Sequence, residues 1–426
     1  MSKKPNLLDE KKHMKFAWLI WGLAATFYFS DYMARVAPTV MHRFLQADFG
    51  INEAGFGTLT ASFYIPYIIM QIPVGLTVDR ISIRWILTLM SLVTALGCVV
   101  FGLADTLSVA SVGRMLIGFS AAFAFISALR LATSWFPPAM LGLLAGLTQA
   151  LGMLGGASGQ APVSLLVSAL GWRHSMFVIA FIFIVLAAML YQYVQDAPGK
   201  NPYQKKDNQG LSIFSSLKVI LSSRQTWINS FYAGFLYAPA AVIGEAIGPA
   251  YLQYGRCLSV HAAAFATGLI FIGWVFGGPV SGWLSDKIGR RKPVMIASAL
   301  CGLVIMLLLI YYPSLHTEFV YVLLFLFGFT NSGVAIAYAV STELHQRVVV
   351  GTAIAFTNMA SIFVGATLQP IVGRLVDYVA GSRGYHVESL LLGDFQFGLR
   401  VLPLCSFVAL ILALMVKETH CHPQNR

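Results

Sequence analysis

The sequence predicts an all-α membrane protein, with twelve transmembrane helices in two pseudo-symmetric six-helix bundles. Three observations lead there. Of 426 residues, 58% are hydrophobic and only 11% are charged, against roughly a quarter charged in soluble chains. So few charges cannot cover a water-facing surface, so lipid must be the solvent for most of the chain. Apolar runs of about 20 residues, enough to cross a bilayer core, recur from end to end. The basic residues sit in short loops between those runs, so the net charge of +11 reads as membrane topology and not as a nucleic-acid surface.

The first span, 16–42, follows Lys3, Lys4, Lys11, Lys12 and Lys15 and is too long for the core of a cleavable signal, so it is expected to stay in the membrane. It carries Asp31 and Arg35, four residues apart on one helical face and able to pair. A charge at bilayer depth costs about 2.5–3.5 kcal/mol on insertion scales, so it normally faces protein or a watery cavity. Arg35 can grip a carboxylate with two parallel hydrogen bonds, or the pair can simply hold shape. Tyr28 and Tyr32 stand beside it. The second span, 54–78, places Tyr64, Tyr67 and Gln71 on one face and runs into Asp79 and Arg80. Arg84 opens the third, 84–104. The fourth, 107–136, holds Arg114 near one end and Arg130 near the other, five residues before Trp135. The fifth and sixth, 140–168 and 173–195, include Gln149 and Gln160.

A polar stretch, 196–225, with Pro198, Gly199, Lys200, Lys205, Lys206 and Gly210, reads as a solvated linker between units 1–195 and 226–426. The seventh span, 226–253, contains a lone carboxylate, Glu245, flanked by Gly244, Gly248 and Pro249. Glycine and proline there favour a broken helix that exposes backbone groups to a cavity. Glu245 is the first candidate for proton coupling and Asp31 the second. Spans 262–285, 293–312, 317–343, 349–378 and 396–416 complete the set. Asn331 and Asn358, in the tenth and eleventh, are substrate-binding candidates, although intramembrane amides more often bond a neighbouring helix.

Lys and Arg are about threefold richer on the side that holds the N-terminus, the linker and the C-terminus, which puts both termini in the cytoplasm. The five cysteines are scattered, and no metal, cofactor or disulfide framework is suggested. The chain has no phosphate-binding glycine loop, GxSxG or HExxH, so neither ATP hydrolysis nor another enzyme activity is expected. His420-Cys421-His422 reads as a flexible tail end.

The two units repeat one pattern. Gly75, Asp79, Arg80 and Arg84 follow the second span, and Gly282, Asp286, Lys287 and Arg291 follow the eighth, sharing G-x3-D-[RK]-x3-R. The second copy, Gly282 to Arg291, resembles the signature loop of the major facilitator superfamily in full. The first departs at Ser82 and Ile83. Gly113-Arg114-x3-Gly118 and Gly152-x3-Gly156-x2-Gly159-Gln160-Ala-Pro162 are similar to further motifs of that superfamily. The resemblance implies alternating access, with the two bundles rocking about a central site. It also implies a gating role for Asp79, Arg80, Arg84, Asp286 and Arg290, which latch the cytoplasmic side, and for Arg114, nearer the outer end, through packing or proton coupling. Tyr32, Arg35, Tyr64, Arg130, Asn331 and Asn358 are expected to bind substrate. Asp31-Tyr-Met-Ala-Arg35-Val-Ala-Pro38 is similar to the proteobacterial phagosomal amino-acid transporter branch, while the run Tyr67 to Gly75 also occurs in organic-anion symporters and dipeptide carriers. The expectation is a monomeric, proton-coupled carrier of a small polar metabolite in a bacterial inner membrane. An amino acid ranks first, an organic anion second and a dipeptide third.

Overall fold

The computed structural model describes residues 7–137, 140–197, 213–312, 315–346, 349–383 and 390–422, without the side chains of 7–13, 72, 76, 79, 80, 213 and 214. Among the described residues all regular structure is helical. Nine runs among the described residues are long and apolar enough to cross a membrane. One of these, Leu141–Tyr193, is 53 residues long and reverses at Gly171, whose φ of 78° is open to glycine, so it crosses twice. Two more rods, Leu7–Val36 and the pair Glu53–Ser62 and Tyr64–Arg80, bring the total to twelve. Their polar content is that of the candidate site.

In chain order, α1 is Leu7–Val36 and α2 is Glu53–Ser62 with Tyr64–Arg80. Next come α3 (Ile83–Gly102), α4 (Leu107–Trp135), α5 (Leu141–Ser158, resuming at Ala161 up to Gly171) and α6 (from Gly171 to Tyr193). The second unit contains α7 (Arg224–Val242, continuing to Gly255), α8 (Val260–Ile288), α9 (Lys292–Tyr311) and α10 (Thr317–Asn331 with Val334–Leu344). It ends with α11 (Val350–Gly381) and α12 (Leu392–Leu399 with Val401–Met415). Past Val36, α1 tightens through Ala37–Met41 into a short helix, His42–Phe49.

The sequence repeat is also a packing repeat. Gly118 of α4 lies against the backbone of Phe63 in α2, and Gly328 of α10 lies against the backbone of Ile270 in α8, so a Cβ at either would overlap a carbonyl. After α6, Asp196 accepts from the Arg84 N–H at the start of α3 (3.2 Å). After α12, Glu418 accepts from the Arg291 and Lys292 N–H groups at the start of α9 (2.8 and 3.0 Å). Each is an anion at a helix N-terminus, where unsatisfied N–H groups favour it.

Two expectations are corrected here. Ile213–Ser222, inside the stretch read as linker, is helical, and Ile220 packs on Val349, Ala353 and Phe356; its apolar residues need cover. Residues 198–212 lie outside the described part. The tail is also ordered against the protein. Thr419 is fully buried and donates to Glu343 at 2.5 Å, and Cys421 approaches the Ser285 carbonyl.

The helix Ile213–Ser222, both repeated loops and the described tail share one face, called the linker face. The two units touch at the other, far face. There Gly57 of α2 abuts the Gln369 and Pro370 backbone of α11, and Gly373 abuts Glu53. Asp377 of α11 accepts from the Glu53 and Ala54 N–H groups at the start of α2 (3.1 and 2.8 Å). Glu53 in turn accepts from Gln46 (3.0 Å) and contacts His42 (3.0 Å), pinning the end of the first rod. Deeper in, Asn358 donates to Gln71 across the units at 3.0 Å. Glycines on the linker-face ends of α2, α5, α8 and α11 (Gly75, Gly142, Gly146, Gly278, Gly282 and Gly351) face open space. The units are therefore closed together on the far face.

Candidate functional site

At mid-depth two costly charges meet. Arg35 of α1 donates from Nη2 and Nε to Glu245 Oε2 of α7 (2.7 and 3.0 Å), and the two residues are 5% and 3% exposed. A buried arginine–carboxylate pair survives only if its remaining donors and lone pairs are used. Here they are used by tyrosines. Tyr237 donates to Oε1 at 2.7 Å, Tyr32 to Oε1 at 3.3 Å, and Tyr64 to Oε2. Tyr237 and Tyr64 also accept from Arg35 Nη2 at 2.7 and 3.2 Å. The guanidinium carbon lies 4.7 Å from the Tyr32 ring centre, 4.9 Å from that of Tyr64 and 5.4 Å from that of Phe63, so the cation is boxed by aromatic faces. Two carboxylate oxygens thus receive five donors, drawn from both units.

The backbone explains why Glu245 is presented there. Ile243–Ile247 is a π turn, in which the Gly248 N–H reaches the Ile243 carbonyl, five residues back. Such a turn inserts one residue and rotates a side chain off the regular helix face, and such turns are frequent at functional sites.

Several expected residues join this cage: Arg35, Tyr32, Tyr64 and Glu245. Asp31 does not pair with Arg35, contrary to the expectation from their spacing. It is 2% exposed, and its Oδ1 has no hydrogen-bond partner among the described residues. Arg35 turns instead to a carboxylate in the other unit, with better geometry than a one-turn contact permits. Asn331 is buried and donates to the Leu236 carbonyl at 2.5 Å, bracing α7 and not facing a cavity. Asn358 is bonded to Gln71 and to Tyr338 (3.0 Å). Arg114 gives its guanidinium to the carbonyls of Ala34, Arg35 and Thr60 (3.3, 3.0 and 3.4 Å), clamping α1 and α2 where both depart from regular helix. Arg130 lies sixteen residues farther along α4, about 24 Å at 1.5 Å per residue, and so sits toward the linker face.

In the repeated loops, the side chains of Asp79 and Arg80 lie outside the described part. The Arg84 guanidinium stacks over Tyr191 at 4.4 Å. In the second copy the pairing falls to Arg291, not to Arg290. Arg291 donates to Asp286 (2.6 Å), Ser285 (3.0 Å) and Glu343 (2.7 Å), while the Arg290 side chain is exposed. The reason is local: Gly289, at φ 69°, ends α8 and turns the next residue outward. Burial opposes the Arg291 charge, but the hydrogen bonds it donates to Glu343 and Asp286 outweigh it and raise its pKa.

The sequence reading missed Tyr237, Gln369, Glu343 and Asp377, and named Gln160 without giving it a place in the site. Tyr237 stands eight residues before Glu245, near one face of a regular helix, a spacing that pointed to it. The glutamines gave no such signal, because their partners are backbone groups. Among the described residues, no group of three His, Cys, Asp or Glu side chains is placed to hold a metal.

Comparison with known proteins agrees with this architecture. A probable sulfoacetate transporter of Cupriavidus necator is 26% identical over 291 residues, covering 66% of this chain and 67% of that protein. A probable hexose phosphate transport protein of Chlamydia trachomatis is 24% identical over 418 residues, covering 91% and 88%. The crystal structure of a mutant of the nucleoside transporter NupG shares the fold, with a TM-score of 0.77 at 13% identity over 94% of this chain and 99% of that one. The Major Facilitator Superfamily model matches residues 20–370; with twelve spans, a repeated loop and a charged cage between two units, the chain belongs to that superfamily and is a membrane transporter of small molecules.

Proposed function

We propose that this protein is a proton-coupled symporter of a small organic anion, monomeric, in a bacterial inner membrane with both termini cytoplasmic. The observation that carries this is the Arg35–Glu245 pair, made between the two units and inside a cage of hydroxyl donors. An anion entering the cage competes with Glu245 for Arg35. Glu245 then gives up its arginine, and a bare carboxylate at that depth costs several kcal/mol. A proton on Glu245 removes that cost, so the anion and the proton enter together. Both named relatives carry anionic cargo in their names, which supports the class. With the far face shut, the structure is the inward-open limb of alternating access.

A second reading, an amino acid, is favoured by one observation. Asp31 lies one turn from Arg35, with a buried, unpartnered oxygen that suits an ammonium group. Counterflow in proteoliposomes separates the two. Sulfoacetate or glucose 6-phosphate is expected to exchange, and an inward proton gradient to drive its accumulation. Exchange of amino acids alone would favour the second reading. Accumulation of an anion that ignores the gradient would refute coupling.

A further inference from the structure

The cage depends on a backbone device that neither the superfamily nor its relatives' names describe. In a regular α-helix the Gly244 carbonyl would accept from the Gly248 N–H. Here that N–H is committed to Ile243. The next donor along, at position 249, does not exist because residue 249 is proline. The Gly244 carbonyl is therefore orphaned by the π turn, and an orphaned buried carbonyl is costly. Gln160 Nε2, from α5 of the other unit, donates to it at 2.9 Å. On the other side of Glu245, Gln369 Nε2 of α11 donates to the Ala241 carbonyl at 3.0 Å. Both glutamines are fully or almost fully buried, and neither Oε1 has a partner among the described residues; the Gln160 amide N–H serves this one carbonyl, while Gln369 Nε2 also reaches the Tyr64 hydroxyl of the other unit at 3.5 Å. Gly248 makes the turn sterically possible, since a Cβ there would run into the Ile243 carbonyl.

We infer that Gln160 and Gln369 are positioning residues that hold the π turn, and through it hold Glu245 on Arg35. Gln160 belongs to the opposite unit, so its grip exists only while the far face is shut. When the units separate there, the Gly244 carbonyl loses its donor, and the Gly248 N–H returns to it. The turn then relaxes from π to α. Removing the inserted residue rotates Glu245 by about 100° relative to the segment beyond it, the angle of one residue in a 3.6-residue turn. The carboxylate leaves Arg35 by backbone re-registration and not by a side-chain flip. Closure of the far gate and occupation of Arg35 by Glu245 are one event. The inference concerns Glu245 and the gate alone and holds whichever solute is carried.

The test uses the full chain in lipid nanodiscs, without substrate, on a cysteine-free background. Spin labels go on Ser108 and Thr317, which lie at the exposed far-face starts of α4 and α10. The distance between them reports far-face opening. Gly248→Ala touches no contact between units, yet it disfavours the π turn, and it is expected to lengthen the distance. Gln369→Leu, which removes the 3.0 Å bond to Ala241 together with the longer 3.5 Å contact to Tyr64 of the other unit, is expected to do the same, and it stands in if Gly248→Ala does not fold. Each is then repeated with Glu245→Gln. If the glutamines act through Glu245, neither substitution adds to the opening that Glu245→Gln causes alone. Additive opening in the double variants would reduce the glutamines to general packing and overturn the inference, as would an unchanged distance in both single variants.

Discussion

Two arginine–carboxylate clusters in this molecule use the same chemistry at different mechanical positions. Arg35 and Glu245 join the two units at mid-depth. Arg291, Asp286 and Glu343 lie within one unit at the linker face, where Glu418 and Thr419 of the tail complete the cluster. A pair between units that rock against each other is made and broken once per cycle, so its strength sets an equilibrium between conformations. A pair inside one unit travels with it and stabilises that unit in every conformation. Under the proposed cycle, the same 2.7 Å contact is a switch in one place and a brace in the other.

The sharpest way to break this contrast is at Arg35. Arg35→Gln leaves Glu245 buried without its cation, a loss of about 3–5 kcal/mol for such pairs, and removes the anion anchor. Transport is expected to fall at least about a hundredfold in vesicle uptake. Glu245→Gln is expected to act more selectively. Uptake against a gradient is lost and its pH dependence vanishes, while counterflow persists, because the amide no longer needs a proton to leave Arg35. Arg291→Ala is expected to lower the melting temperature by several degrees while leaving the far-face distance distribution unchanged. A shifted distribution would make that cluster a switch as well.

Smaller effects sharpen the same comparison. Asp377 caps the start of α2 across the seam, so Asp377→Ala is expected to weaken far-face closure by about 1 kcal/mol, the usual worth of a cap. That is roughly a fivefold shift in the open-to-closed ratio, measurable with the same spin labels. Glu418 is expected to matter least. Burial raises its pKa, but the N–H groups of Arg291, His420, Lys292 and Thr419 outweigh burial and hold the carboxyl below the usual carboxylate range. A lowered pKa adds stability above the unfolded value, about 4.3, that is lost as pH falls through the folded value. Tail protection from carboxypeptidase is therefore expected to hold at pH 7 and to weaken in Glu418→Gln. Gain of protection would contradict the capping role.

Residue order alone determined the spans, the repeat and the costly charges. Length, hydropathy and the cost of a charge in lipid are local properties, so 54–78 or 317–343 could be drawn within a few residues of the observed helices, and Arg35 and Glu245 could be marked as functional. Tertiary structure alone decided which charges meet. Asp31 and Arg35 share a helix face, yet Arg35 pairs with a residue 210 positions away, because two bundles converge there. It also decided that Arg291 and not Arg290 is held, through the left-handed turn at Gly289, that Gln160 serves a carbonyl orphaned by a π turn, and that Gln369 bonds the Ala241 carbonyl on the other side of Glu245. Those choices rest on distances between helices far apart in sequence and on one backbone register, neither of which a periodic pattern encodes.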